Sequence, residues 1–166
     1  MDGLTVFNTL PAERVRADLL ACCAVGAWAT AVADGRPYPS RNDLVATADA
    51  AARALTWSDV QRGLSAHPRI GERAQGPGRE AAWSRQEQSA AADPGGRAAL
   101  VEANEQYEAT FGHVFLIFAS GRSQAEILAA ARARLRNDVA TERAVVAEEL
   151  RKIALLRLER LIDGLG

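Results

Sequence analysis

Alanine occupies 35 of the 166 positions of this chain, and no other property of the sequence limits the possible folds so strongly. Alanine has the highest helix propensity of all residues, and the β-branched residues that favour strands are scattered instead of alternating with polar ones. A chain of this length normally forms one domain that buries its own hydrophobic core. The sequence therefore predicts an all-α fold, a single compact multi-helix domain over residues 1–166 with a long C-terminal helix.

Helix caps and helix breakers divide the chain into eight predicted helices. Thr56 with Asp59, and Ser123 with Glu126, have the spacing of helix N-terminal caps, and Gly164 follows the last helix. The helices are expected at residues 11–23, around Trp28 to Gly35, and at residues 44–55, 57–65, 80–92, 100–111, 124–136 and 139–163. A loop is expected at residues 67–78, and the apolar stretch at 114–119 is either extended or begins a helix.

The charge and the hydropathy pattern argue against nucleic acids and membranes as partners. The chain has 20 basic and 21 acidic side chains, so its net charge of −1 creates no broad field that would attract phosphate backbones. No run of about 18 apolar residues exists to span a bilayer, and the first residues do not resemble a signal peptide. Cys22 and Cys23 are adjacent, which fits thiols in a reducing compartment better than a disulfide. We therefore expect a cytoplasmic protein.

The sequence predicts neither a metal ion nor an organic cofactor. Lys152 is the single lysine among the 20 basic residues, which nearly excludes Schiff-base chemistry. His67 and His113 are the only histidines, and no metal-binding spacing accompanies them. The glycines of residues 71–78 match neither a dinucleotide-binding motif nor a Walker motif.

His67 is the first candidate catalytic residue. It lies at a predicted junction between a helix and a loop, Pro68 stiffens the backbone beside it, and a glycine-rich stretch follows. A general acid or base needs such a fixed and partly exposed imidazole, whose pKa lies near neutrality. The alternative is a surface or capping histidine without a chemical role.

A second group of polar side chains shares one face of the helix predicted at residues 80–92. Spacings of three and four residues put Ser84, Glu87 and Gln88 on that face, which therefore carries a hydroxyl, a carboxylate and an amide. If another part of the protein covers the face, these groups need hydrogen-bond partners, and a small polar ligand is one candidate. The alternative is an ordinary solvated helix face.

Arg157 interrupts the apolar stripe of the last predicted helix. The other members of the stripe are Val146, Leu150, Ile153 and Leu161. An arginine in this position either extends to water, pairs with a buried carboxylate, or points into a pocket and binds the oxygens of a ligand through two guanidinium nitrogens. The residues themselves leave these three alternatives open.

Motifs over nearly the whole chain resemble those of the OHCU decarboxylases, which convert 2-oxo-4-hydroxy-4-carboxy-5-ureidoimidazoline (OHCU) to (S)-allantoin in urate breakdown. Each motif is weak alone, whereas their order and spacing together are specific. The motifs are Phe7-Asn8, Leu10, Cys22-Cys23, Trp28, Arg36-Pro37, Trp57, His67-Pro68, Ser84-x-x-Glu87-Gln88, Asn104-x-x-Tyr107, Phe111-Gly112, residues 115–119, and Lys152-Ile153 with Leu156-Arg157-Leu158.

The resemblance implies an all-α carboxy-lyase of purine catabolism that acts on a small-molecule substrate, needs no cofactor or metal, and commonly forms homodimers. It implies that His67 and Glu87 are the catalytic pair. The substrate contacts that it implies are Pro68, Ser84, Arg85, Gln86, Gln88, Phe115, Leu116, Ile117, Phe118, Ala119 and Arg157.

Two alternatives to a decarboxylase remain open at this point. A non-catalytic helical module would use the apolar last helix as a dimer or partner interface, and it predicts that His67, Glu87 and Arg157 lie far apart. A hydrolase or cyclase of a related ureido compound would need a metal or an activated nucleophile, and the sequence shows no clear candidate for either. The decarboxylase interpretation requires the three side chains to converge on one pocket.

Overall fold

The computed structural model describes residues 1–70, 79–87 and 96–166 of the chain. Within these ranges the chain forms nine α-helices and no strand, which confirms the predicted all-α class: α1 (Gly3–Thr9), α2 (Ala12–Cys22), α3 (Gly26–Asp34), α4 (Arg41–Arg53), α5 (Trp57–Leu64), α6 (Arg79–Glu87), α7 (Arg97–Phe111), α8 (Gln124–Arg134) and the long C-terminal α9 (Val139–Leu165). The predicted loop at 71–78 and the end of the helix predicted at 80–92 lie outside these ranges. No helix in the described part is both long and apolar enough to cross a membrane.

Side-chain caps begin several helices where the sequence predicts them. At α5 the Thr56 hydroxyl accepts the backbone N–H of Asp59 at 3.2 Å, and the Asp59 carboxylate accepts that of Thr56 at 3.1 Å. Ser123 and Glu126 form a reciprocal capping box at α8. Asp138 accepts a backbone N–H in the first turn of α9. These bonds satisfy donors that the first turn of a helix leaves without a partner in the helix.

Helix α1 is absent from the sequence prediction. Its seven residues include two threonines and a valine, which are weak helix formers. Asp2 nevertheless caps the helix by accepting the backbone N–H of Thr5 at 2.9 Å. Gly3 packs so closely against the chain that a Cβ atom there would clash with the carbonyl oxygen of Ile162. Packing against a distant segment therefore stabilises a helix that local propensity does not favour.

The last helix ends later than predicted. Helix α9 continues through Gly164 to Leu165, so the prediction that Gly164 closes it is wrong. Glycine ends a helix when it adopts the left-handed conformation, as Gly112 does after α7 with a φ of 80°. Gly164 is not among the glycines with positive φ in the described residues.

The first of two compact units comprises Met1–Gly63 and Leu150–Gly166. Helix α3 packs against both α2 and α4. Trp28 of α3 is fully buried and donates its indole N–H to the carbonyl of Ala48 in α4 at 3.0 Å. Other fully buried apolar side chains of this unit include Phe7, Val15, Leu19, Leu44 and Leu158. The unit therefore has its own core, which α3 joins to its helical neighbours.

The turn after α3 is held to α1 by polar contacts. Arg36 donates from Nη1 to the carbonyls of Phe7 and Leu10, at 2.8 Å each. The side-chain amide of Asn8 donates to the carbonyl of Tyr38 at 3.0 Å and accepts the Tyr38 N–H at 2.9 Å. These bonds satisfy main-chain groups at the end of α1 and in the turn.

The second unit comprises Leu64–Glu149. Helices α7 and α8 pack against each other in it. Its core side chains are Ile70, Leu100, Ala103, Tyr107, Phe115, Ile117, Ala119, Ile127 and Ala131. The apolar stretch predicted at 114–119 is therefore a part of this core.

Candidate functional site

His67 lies just beyond the end of α5, at the junction between helix and loop that the sequence predicts. Its backbone N–H donates to the carbonyl of Leu64, the last residue of the helix, at 3.0 Å. The His67 and Pro68 side chains are both half-buried. The imidazole therefore sits on a backbone fixed to the helix end and keeps access to the surroundings.

The residues after His67 are anchored to α7 by two side chains that lie one turn apart. Asn104, which is 5% exposed, donates its amide to the carbonyl of Ile70 at 2.5 Å. Arg69 donates to both carboxylate oxygens of Glu108, at 2.6 and 3.3 Å. Sequence reasoning does not assign these anchors to the site, although Asn104 belongs to one of the motifs that carry the family resemblance.

Helix α6 presents the predicted polar face, and this face is covered. Ser84 is 3% exposed and Glu87 is 7% exposed, whereas Gln86 between them is exposed. The three-residue spacing thus places the hydroxyl and the carboxylate on the same buried side, so the alternative of a solvated face does not apply to them. The side chain of Arg85 and the whole of Gln88 lie outside the described residues.

Residues 114–119 form neither a helix nor a strand. Phe115, Ile117 and Ala119 enter the core of the second unit, and their alternation is that of an extended chain. The structure thus agrees with the extended alternative of the sequence prediction. An extended segment exposes its backbone N–H and C=O groups to partners other than its own chain neighbours.

Three charged side chains bind the backbone of this extended segment. Arg134 donates from Nη1 to the carbonyl of Leu116 at 2.6 Å, and Arg122 donates from Nε to the carbonyl of Phe118 at 3.0 Å. Glu149 accepts the N–H of Phe118 at 3.4 Å. Sequence reasoning does not identify any of the three, because nothing in the local sequence distinguishes them from the many other charged residues of the helices.

Arg134 belongs to a buried ion pair. Its Nε donates to the two carboxylate oxygens of Glu142 at 2.5 and 3.2 Å, and the two residues are 8% and 0% exposed. The guanidinium lies over the ring of Phe115, 4.5 Å from its centroid, and 5.7 Å from that of Tyr107. Burial raises the pKa of the Tyr107 hydroxyl. The pair therefore lies in an apolar and aromatic environment, where a charge needs a partner.

Arg157 belongs to the first unit and is only 1% exposed, so it does not extend to water as one of the sequence alternatives allowed. Its charge affects the pKa of the thiol of Cys23, which belongs to the same unit. Burial raises the pKa of the Cys23 thiol to about 12, a backbone hydrogen bond from Val25 lowers it, and so does the Arg157 guanidinium.

The structure thus places His67, Glu87 and the segment 115–119 in one unit and describes Arg157 in the other. The convergence of His67, Glu87 and Arg157 on one pocket stays a prediction. Across residues 1–70, 79–87 and 96–166, no group of three His, Cys, Asp or Glu side chains is arranged to hold a metal ion.

Comparison with known sequences gives a consistent result. A family model described as OHCU decarboxylase matches residues 8–159. The chain is 35% identical over 139 residues to a 2-oxo-4-hydroxy-4-carboxy-5-ureidoimidazoline decarboxylase of Amia calva. The matched region covers 81% of this chain and 79% of that protein. It is also 32% identical over 148 residues to the uric acid degradation bifunctional protein TTL of Arabidopsis thaliana, covering 86% of this chain but only 45% of that protein.

Comparison with solved structures agrees. The crystal structure of an OHCU decarboxylase in the presence of (S)-allantoin matches with a TM-score of 0.74 and 29% identity, over 86% of this chain and 95% of the other. The crystal structure of an (S)-allantoin synthase has the same fold, with a TM-score of 0.67 and 19% identity, over 96% of this chain and 54% of the other.

Proposed function

Because this chain belongs to the OHCU decarboxylase family, we propose that it removes CO₂ from OHCU and releases (S)-allantoin in urate degradation. The observation that carries the proposal is the family match over residues 8–159, together with 35% identity to an OHCU decarboxylase. The likeness to an OHCU decarboxylase crystallised with (S)-allantoin supports the same product. Neither the helical-module alternative nor the hydrolase alternative has comparable support.

The reaction needs a group that accepts an electron pair. When CO₂ leaves, the electrons of the broken C–C bond stay on the carbon that carried the carboxylate. In the proposed substrate this carbon also bears a hydroxyl group, and a C=N bond lies next to it. The electron pair moves into the C=N system, whose nitrogen takes up a proton. The hydroxyl then loses its proton to form a carbonyl, and the carbon that bears the ureido group gains one. Since the substrate is its own electron sink, the protein has to transfer protons and bind oxygens.

His67 transfers the proton in this proposal. It either removes the hydroxyl proton or delivers one to the neighbouring carbon, and such general acid–base assistance is worth about 10²–10⁴-fold in rate. Its half-buried side chain and its fixed backbone support this role. A proton that arrives from one side of a bound ring gives one enantiomer in excess, and the (S) product requires that this side is the one that yields (S)-allantoin.

Glu87 assists His67, and Ser84 contacts the substrate. A buried carboxylate near an imidazole holds it in one tautomer and favours its protonated form. The burial of Glu87 and of Ser84 on one side of α6, in the same unit as His67, supports both roles. A hydroxyl and a carboxylate on a covered face are also suited to the polar groups of a small heterocycle.

The extended segment binds the amide groups of the substrate. Backbone N–H and C=O groups within residues 115–119 pair with the ureido and ring amides, while the side chains of Phe115, Ile117 and Ala119 remain in the core. Pro68 contacts the substrate beside His67. The remaining predicted contacts are Arg85, Gln86 and Gln88, and among these Gln86 is exposed.

Arg157 binds substrate oxygens on which negative charge grows. A close pair with the departing carboxylate would stabilise the ground state and slow the reaction, because only preferential binding of the transition state accelerates it. We therefore place its guanidinium on ring or ureido oxygens. Its nearly complete burial supports a role inside the protein.

The proposal also includes a cytoplasmic homodimer that acts without cofactor or metal. The family resemblance and the composition support these points. Analytical ultracentrifugation tests the dimer, and assays after dialysis against a chelator test the independence from metals. Full activity of the dialysed enzyme is expected, and loss of activity that added metal restores would contradict it.

The decisive experiment follows the product. OHCU is generated enzymatically from urate, and circular dichroism records allantoin formation with and without the protein. Spontaneous decay gives racemic allantoin, so the protein should produce a faster reaction and an excess of the (S) enantiomer. A racemic product formed at the spontaneous rate would refute the proposed function.

A pair of variants tests the catalytic role of His67. His67→Asn is expected to abolish turnover and to leave the helical circular dichroism spectrum unchanged. His113→Asn is the matched control, because it makes the same change at the other histidine, which is also half-buried, and should retain most of the activity. Near-normal activity of His67→Asn would refute the assignment.

A further inference from the structure

The extended segment has two edges that differ in their hydrogen bonding. In an extended chain the N–H and C=O of one residue point to one side, and those of the next residue point to the other side. The backbone groups of Leu116 and Phe118 therefore share one edge, and those of Phe115 and Ile117 share the opposite edge. A side chain that binds the backbone groups of one edge therefore also orients the N–H and C=O groups of the opposite edge.

The edge of Leu116 and Phe118 is occupied by protein side chains. Arg134 binds the first carbonyl at 2.6 Å, Arg122 binds the second at 3.0 Å, and Glu149 accepts the Phe118 N–H at 3.4 Å. Arg134 is itself fixed, because Glu142 binds its Nε and the ring of Phe115 lies under its guanidinium. The carbonyl of Leu116 and both backbone groups of Phe118 are consequently occupied by the protein.

The edge of Phe115 and Ile117 differs, because the three side chains that bind Leu116 and Phe118 do not bind it. The two residues are 2% and 3% exposed, yet their N–H and C=O groups make no hydrogen bond to any residue that the structure describes. Buried backbone groups in proteins are almost always paired, with protein, water or ligand. Two adjacent donor–acceptor pairs on one edge match a ligand that has N–H and C=O groups side by side, as ureido and cyclic urea groups do.

We infer that Arg134, held by Glu142, is a positioning residue of the proposed reaction. Together with Arg122 and Glu149 it binds three of the four backbone groups of Leu116 and Phe118, and thereby directs the Phe115 and Ile117 edge towards the amide groups of the substrate. Arg134 does not touch the substrate and takes no part in proton transfer. This inference rests on the proposed function and adds to it which edge of the segment binds and what holds it.

A double variant separates positioning from stability. Removal of one partner of a buried ion pair leaves the other charge unpaired and destabilises the fold, whereas replacement of both partners by apolar residues of similar size is often neutral or stabilising. Arg134→Met combined with Glu142→Leu should therefore leave no buried charge unpaired and lose the bond to the Leu116 carbonyl. Its melting temperature should fall by no more than about 2–12 °C, the effect of one unsatisfied buried carbonyl in a protein of this size. A merely structural ion pair would leave substrate binding unchanged in this variant.

Nuclear magnetic resonance tests directly whether the backbone groups of Phe115 and Ile117 bind the ligand. In the ¹⁵N-labelled wild type, titration with (S)-allantoin should shift the amide signals of Phe115 and Ile117 more than that of Phe118, whose N–H already binds Glu149. In the double variant the dissociation constant of allantoin should rise by about tenfold, which is the effect of losing one hydrogen bond between the displaced segment and the ligand. KM should rise to a similar extent, and the pH profile of kcat should stay that of the wild type, because His67 is unchanged.

Two further variants make the experiment decisive. Arg132→Met changes an exposed arginine on the same helix and should bind allantoin like the wild type. If the double variant does not fold, Arg134→Lys replaces it, because an ammonium group keeps the charge near Glu142 but does not bridge to the Leu116 carbonyl as the guanidinium does. Unchanged allantoin affinity in either folded variant, or wild-type shifts centred on Phe118, would overturn the inference. Failure of the proposed function is distinct, because the wild type itself would then form no excess of (S)-allantoin.

Discussion

Replacing Asn104 by leucine should weaken both the second unit and the activity. Its side-chain amide is the hydrogen-bond partner of the Ile70 carbonyl, at 2.5 Å, and both residues are 5% exposed. Leucine has a similar size but no donor, so the carbonyl remains buried without a partner. Because Ile70 follows His67 by three residues, the loss also loosens the backbone that carries the imidazole.

The loss of stability can be estimated for Asn104→Leu and compared with that of a second variant, Glu108→Gln. An unsatisfied buried carbonyl costs about 1–3 kcal/mol. In a protein of this size each kcal/mol lowers the melting temperature by about 2–4 °C, so Asn104→Leu should lower it by about 2–12 °C. Glu108→Gln removes the other anchor of the same segment, but its partner Arg69 is 49% exposed and such a pair is worth only about 0–1 kcal/mol.

Thermal denaturation followed by circular dichroism measures the stability, and (S)-allantoin formation measures the activity. We expect Asn104→Leu to show the larger loss of both, with kcat reduced more than KM is raised, because the catalytic group and not the binding segment is displaced. Equal effects of Asn104→Leu and Glu108→Gln, or a larger effect of the exposed pair, would refute the reasoning.

Three other predictions concern the first unit. Arg157→Lys should lower kcat/KM by about tenfold to a hundredfold, because lysine does not reproduce a two-nitrogen contact to substrate oxygens. Cys23 should resist alkylation by iodoacetamide at pH 8 in the native protein, since its thiol is 2% exposed and burial raises its pKa to about 12. Asp49→Asn should lower the melting temperature near neutral pH but not in acid. Hydrogen bonds and charges of Arg53 and Arg151 lower the pKa of the Asp49 carboxyl from 3.8 in the folded state. The carboxylate therefore stabilises the fold above pH 3.8, and this stabilisation disappears as the pH falls through the lower pKa of the folded state.

Each of these has its own control. Arg143→Lys changes an exposed arginine of the same helix as Arg157 and should leave kcat/KM unchanged. Mass spectrometry should find Cys23 labelled once urea unfolds the chain, and labelling at the same rate without urea would contradict its burial. A difference between Asp49→Asn and the wild type that persists undiminished in strong acid would show that the carboxylate charge is not the cause.

The sequence predicts those parts of the fold that depend on neighbouring residues. The caps formed by Thr56 with Asp59 and by Ser123 with Glu126 are local, so their residue types and spacing are sufficient to locate the starts of α5 and α8. Helix α1 depends instead on the close approach of Gly3 to the end of α9, which follows it by most of the chain length and leaves no trace in the local sequence.

The candidate site shows the same division. The periodicity predicts that Ser84 and Glu87 share a face of α6, but it does not reveal whether the face is covered. The pair of Arg134 and Glu142 is beyond sequence reasoning, because it forms between two helices separated by a break. Among 20 basic and 21 acidic side chains, the sequence does not indicate which two are buried together.

In the part of the chain that the structure describes, arginine side chains bind main-chain carbonyls at the end of α1 and in the segment 115–119. Arg36, Arg122 and Arg134 each donate a guanidinium N–H to carbonyl oxygens that no helix satisfies. Surface engineering that exchanges arginine for lysine, to aid crystallisation or coupling to an amine-reactive support, therefore has to spare these three positions. Single arginine-to-lysine substitutions compared by melting temperature would distinguish the arginines that stabilise loops from those that only contribute to solubility.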